Sequence, residues 1–170
     1  MVAAVVFLIF PLCLAVAALT DLLSMTIPNR IPIILSASFL LIAPFVAVDM
    51  PLLMSHGLAG LCVFLACFAL FAANVMGGGD AKLLSACALW FGMNQSLLLF
   101  VAAVGLFGGL LTFAILLIRT QSNTILAIGI PIPNSLILAK KIPYGIAIAI
   151  GGFIAFPSSP IFISTLEALK

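Results

Sequence analysis

The chain has 170 residues, 66% of them hydrophobic and 6% charged, with a net charge of +2 and a mean hydropathy of +1.49. A soluble domain carries about a quarter charged residues, so that class is excluded, and nothing in the charge balance points to nucleic acid as a partner. The apolar runs are continuous over helix length and lack the alternation of barrel strands. Helices are one of only two ways to satisfy backbone polar groups in lipid. The expected class is an all-α integral membrane protein, a single polytopic domain over residues 1–170 with no soluble or zinc-binding domain.

In chain order, the candidate spans are Val2 to Thr20, Ile31 to Val48, Ser55 to Ala73, Ala81 to Phe91, Ser96 to Ile118 and Tyr144 to Ile163. The first resembles a secretion signal, with Ala15-Val16-Ala17 as a cleavage-like site. No Lys or Arg precedes its apolar stretch, however, so it is read as a retained span. The fourth is short for a crossing. Yet Ala81 to Ile118 as one helix would run about 57 Å at 1.5 Å per residue, nearly twice the roughly 30 Å hydrocarbon core. A turn at Gly92-Met93-Asn94-Gln95 resolves it into two crossings. Between spans five and six, ILAIGIPIPNSLIL is broken by Pro131 and Pro133 and is expected to form an interfacial or re-entrant loop. Cys13, Cys62, Cys67 and Cys87 lie inside apolar runs without a CxxC pair and are expected to be small packing residues.

Six spans place the five connections on alternate sides, and cytoplasmic loops should collect the basic residues. One side receives Arg30, Lys82, Arg119, Lys140 and Lys141, and the other Asp49, His56, Glu167 and Lys170. Both termini are then expected outside, with Asp21 and Asp80 at the cytoplasmic face.

Those two aspartates carry the functional argument. A charged side chain at bilayer depth costs about 2.5 to 3.5 kcal/mol even on the lenient insertion scale, so it faces a wet cavity or a partner. Asp49 and Glu167 sit in connecting or terminal segments where ordinary solvation explains them. The plainer reading of Asp21 and Asp80 is that both mark helix ends, Asp80 as an N-cap. Against this stand Gly77, Gly78 and Gly79. Glycine permits positive φ and close backbone approach, so the run is expected to loosen a helix start and leave room for another chain. Pro28 and Asn29 read as a turn before span two, and Asn74 as a cap of span three. Asn29 is either a turn residue or a hydrogen-bonding partner within the Asp21 loop. Lys82, about 200° around the helix from Asp80, is read as a headgroup anchor.

Two carboxylates brought together cannot both ionise easily, so the pair holds one proton between them and supplies an acid and a base to one site. Water-mediated peptide hydrolysis needs that combination. Paired acids also serve proton-coupled transporters and channels, although those place polar groups at mid-membrane depth beside broken helices. A non-enzymatic assembly scaffold would not need the aspartates at all. Elsewhere, Gly105 and Gly109 form a G-x-x-x-G, and Gly145/Ala149 and Ala147/Gly151 form small pairs, all expected to pack helices. His56, the sole histidine, is expected far from both aspartates, and no metal site is expected.

Asp21 ahead of Ile27-Pro28-Asn29, Gly77-Gly78-Gly79-Asp80-Ala81-Lys82 with its G-x-G-D pattern, and Lys141-Ile142-Pro143-Tyr144-Gly145-Ile146-Ala147 resemble the type IV prepilin peptidases, which are GxGD aspartic membrane proteases. The resemblance implies cleavage, at the cytoplasmic face of the inner membrane, of the basic leader of a prepilin-like membrane protein. Asp21 and Asp80 would be the catalytic pair, and Gly77, Gly78, Gly79, Pro28 and Asn29 supporting residues. Pro143, Tyr144 and Gly145 are read either as a border of the substrate groove or as a helix start with an interfacial tyrosine. No cofactor is implied, and the partners are the precursor and membrane lipid. Without paired CxxC motifs the chain looks like the stand-alone form of Flp-type, tight-adherence systems, for which N-methyltransferase activity is not expected. Archaeal preflagellin peptidases share the general motif.

Overall fold

The computed structural model describes residues 2–46, 49–121 and 142–169. Among the described residues every regular element is helical: α1 (Val2–Ser24), α2 (Arg30–Ile42) with a 3-10 turn Ala43–Phe45, α3 (Met50–Ala72), α4 (Gly78–Phe91), α5 (Gln95–Thr120), α6 (Tyr144–Ala155) and, after a 3-10 turn Phe156–Ser158, α7 (Pro160–Glu167). The expected loop around Pro131 and Pro133, together with Lys140 and Lys141, lies outside the described residues.

α1, α3 and α5 are long and apolar enough to cross a membrane, and α6 with α7 would make a fourth crossing if the bent pair is one span. Leu8, Leu12 and Leu23 of α1, Leu61 and Phe68 of α3, and Leu106 and Phe113 of α5 stand exposed along these helices. Such a surface would aggregate in water and is matched by a bilayer. α2 and α4 are shorter. α4 packs on α3 and α2 and also touches α6 and α7, while α6 lies between α5 and α1. Most of the side chains of α4 from Ala81 to Phe91 are buried, which is why its apolar run is short: its surroundings are mainly protein.

Two turns follow the sequence closely. α3 ends with Asn74 at φ +58°, the Asn74 N–H bonding to the Phe71 carbonyl and the Val75 N–H to the Leu70 carbonyl, each at 2.9 Å. This is a Schellman cap. α4 stops at Gly92 (φ +71°), and the Asn94 side chain accepts from the Ser96 N–H to start α5.

One packing expectation is corrected. Span six is not one helix, because α6 and α7 meet at 44°. Pro157 and Pro160 lack an N–H, and Ser159 caps α7 by accepting from the Phe162 N–H. Among the described residues nothing lies within 4 Å of a Cβ placed at Gly105 or Gly109; the close contacts of α5 with α6 are made by Gly108, seated on the Tyr144 ring, and by Val104 against Gly151.

The core is aromatic. Phe10 stacks on Phe156 with centroids 4.5 Å apart, and Trp90 packs against Phe10 and Phe39. The buried Trp90 Nε1–H donates to the Leu35 carbonyl at 3.0 Å, tying α4 to α2. Trp90→Phe is expected to lose about 1–3 kcal/mol of stability, read as a lowered thermal unfolding midpoint in detergent.

Candidate active site

Asp21 lies in the last turn of α1, where the apolar run of that helix ends. The next bend is made by Met25 at φ +53°, whose N–H bonds to the Asp21 carbonyl at 2.9 Å. This left-handed stop is usually glycine. It turns the chain into Thr26 and Ile27 and so across the start of α4. Met25→Val is expected to cost about 1–2 kcal/mol, because a β-branched side chain is poorly tolerated at positive φ. Met25→Gly should fold at least as well as the native protein. Thermal unfolding of the two variants side by side checks this.

Asp80 is not an N-cap, which corrects that reading. α4 begins earlier, at Gly78, with Gly77 as its cap residue, so Asp80 sits in the first turn. The glycine run leaves the room for another chain that is expected of it, though without positive φ. Gly77 has φ −71°, and among the described residues Gly92 is the positive-φ glycine. What the run supplies is room. A Cβ at Gly77 would come within 2.7 Å of Asp80 Oδ2, and Gly79 packs directly against Ile27.

The two aspartates meet in one cavity of about 210 Å³, which Met25, Thr26, Ile27, Gly77–Gly79 and Ile142 also line. Asp21 is 5% exposed and Asp80 is half-buried. The space far exceeds what one water requires.

α6 completes the site. The Gly145 N–H donates to Asp21 Oδ2 at 2.7 Å. Gly145 is the second residue of α6, so its N–H is one of the amides a helix leaves unpaired at its start, and the positive end of the helix dipole faces the carboxylate. A Cβ at Gly145 would lie 2.9 Å from both Cβ and Oδ2 of Asp21. Of the expected groove residues, Gly145 thus contacts Asp21 directly. Tyr144 instead packs on Gly108 of α5, and Pro143 caps α6.

Lys82 has a partner within the protein. Its ammonium donates to Asn29 Oδ1 at 2.9 Å, joining the turn before α2 to the helix that carries Asp80. Asn29 therefore pairs across to α4, neither within its own turn nor as a side-chain cap of α2. Pro28 accepts from the Ile31 N–H at 3.1 Å, which forms the expected turn. At the far end of α4, His56 is fully buried, with Nδ1 2.7 Å from the Leu89 carbonyl oxygen. Among the described residues no group of three or more His, Cys, Asp or Glu side chains is placed to hold a metal.

Fold and site together define a class: a membrane protein, helical in every regular element of its described residues, with two carboxyl groups, from different helices, in one small cavity. The family model of the type IV leader peptidase family matches residues 8–113, which include both aspartates and most of the chain, and the chain belongs to that family. It is accordingly a protease of the leader-peptidase kind. No curated protein and no solved structure matches it.

Proposed function

We propose that the protein is an aspartic endopeptidase that removes the basic leader of type IV, Flp-like prepilins at the cytoplasmic face of the inner membrane. In this reading about six crossings place both termini outside, and Asp21 and Asp80 share one proton. The ionised carboxylate takes a proton from water as its oxygen attacks the scissile carbonyl carbon, and the other carboxyl group gives its proton to the carbonyl oxygen. The tetrahedral diol then collapses, the C–N bond breaks, and the amine leaves with a proton returned by the pair. The Gly145 amide holds Asp21 in position through this cycle, and the segment from Ile142 to Gly145 borders the bound precursor.

The observation that carries the proposal is the common cavity of Asp21 and Asp80. The transporter reading is less well supported. Its acids should stand beside a helix break at mid-depth, whereas the break between α6 and α7 begins at Phe156, a whole helix away from Gly145 and its bond to Asp21. Co-expression with a Flp-type prepilin and detection of the shortened product tests the proposal. Failure to cut any pilin-like precursor would return the protein to the transporter or scaffold classes.

A further inference from the structure

The flank of α4 that faces away from the aspartates carries an open groove of about 820 Å³ between α2 and α3. It is lined by Asn29, just before α2, and by Ile33, Ala37 and Leu40 of α2, and its floor includes Gly60 of α3 and Ala86 of α4. Asn29 to Leu40 advances about 16 Å at 1.5 Å per residue. That is roughly half of a 30 Å hydrocarbon core, the depth of one leaflet. A transmembrane helix would need a groove about twice as long.

Charge is unevenly placed. Lys82 and Asn29 stand at one end, where the hydrogen bond between them fixes the ammonium on the rim. Further along, Ser36 and Ser85 are the polar side chains of an otherwise apolar lining, and the Ser85 hydroxyl is used within its own helix, donating to the Ala81 carbonyl. Arg30, the next residue, adds a second exposed cation at this end of α2. No Asp or Glu lines the groove. A cationic rim above an apolar trough one leaflet deep has the charge and shape complementary to an anionic amphiphile, with headgroup and chain each in a matching environment.

We infer that this groove binds an anionic phospholipid, its phosphate on the Lys82 ammonium and one acyl chain lying along α2. The site is separate from the aspartate cavity: Lys82 lies about 200° around α4 from Asp80, and no residue lines both. The bond to Asn29 nevertheless makes the first turn of α4 part of both sites.

Native mass spectrometry of the delipidated protein in detergent tests this with phosphatidylglycerol and phosphatidylcholine of identical acyl chains, and with glycerol phosphate. Phosphatidylglycerol should bind about fivefold more tightly than phosphatidylcholine, the effect of one basic residue near the headgroup. Lys82→Met should bring the two to parity, and Lys82→Arg should keep the preference. Ala37→Phe, at an exposed groove position, should lose both lipids. Equal binding of the two lipids by the native protein would overturn the inference, as would a preference that survives Lys82→Met or phosphatidylglycerol binding that survives Ala37→Phe. Competition by glycerol phosphate as strong as by the full lipid would make this a bare anion site. A protein dimer abolished by Ala37→Phe, or displacement of the lipid by an apolar helical peptide, would assign the groove to another occupant and equally contradict it.

Discussion

Asparagine at position 21 or at position 80 is expected to lower leader cleavage about a thousandfold or more while leaving membrane insertion unchanged. The amide keeps the shape of the carboxyl group and can still accept the Gly145 N–H, so the bond at position 21 survives. What it loses is the capacity to take and return a proton, a contribution of about 10²–10⁴ for one positioned acid or base. Here the same pair must act as both base and acid within one turnover. Cleavage rates in membranes matched for protein amount check this, with the thermal midpoint of each variant as the control for folding. A scaffold would show no change.

Gly145→Val should have the next largest effect, lowering cleavage at least a hundredfold. Any Cβ at this position would lie 2.9 Å from Asp21, and the nearest atoms belong to the short, buried aspartate side chain, with little freedom to give way. Either α6 moves away from α1 or the carboxyl group is pushed from its amide, and both outcomes misplace Asp21. Gly152→Ala is the matched control on the same interface. A Cβ there meets the end of the flexible Leu14 side chain, well along α6 from the site. It should lower the unfolding midpoint while leaving most of the cleavage rate. Equal losses of activity in the two variants would mean that Gly145 acts through packing alone.

Asp21 and Asp80 were legible in the sequence because a carboxylate is conspicuous in a chain with so few charges, and the turns at Asn74 and Gly92–Gln95 because their residues state their backbone geometry. Other features were hidden for physical reasons. The Gly145 contact is made by a backbone amide, which carries no side-chain signature, to a residue 124 positions away. The helical rotation from Asp80 showed where Lys82 does not point, but not that Asn29 stands on the other side. The break before α7 is written in Pro157-Ser158-Ser159-Pro160, a turn-forming stretch that the apolar residues on both sides of it cause to be read as part of one span. The Gly105–Gly109 stripe has the composition of a packing face, yet composition does not say which neighbour covers it, and among the described residues Gly108 and Gly151 make the close approaches. Met25 gave no signal because a methionine is not the residue expected at a left-handed position.

The most direct measurement is the initial rate of prepilin cleavage by the native protein, by Asp21→Asn and Asp80→Asn, and by the variant carrying both. If the two carboxyl groups work as one unit, the double variant is no slower than the slower single variant, since groups that act together lose their function together. Losses that multiply in the double variant, or a single variant that still cleaves at near the native rate, would contradict a shared catalytic pair.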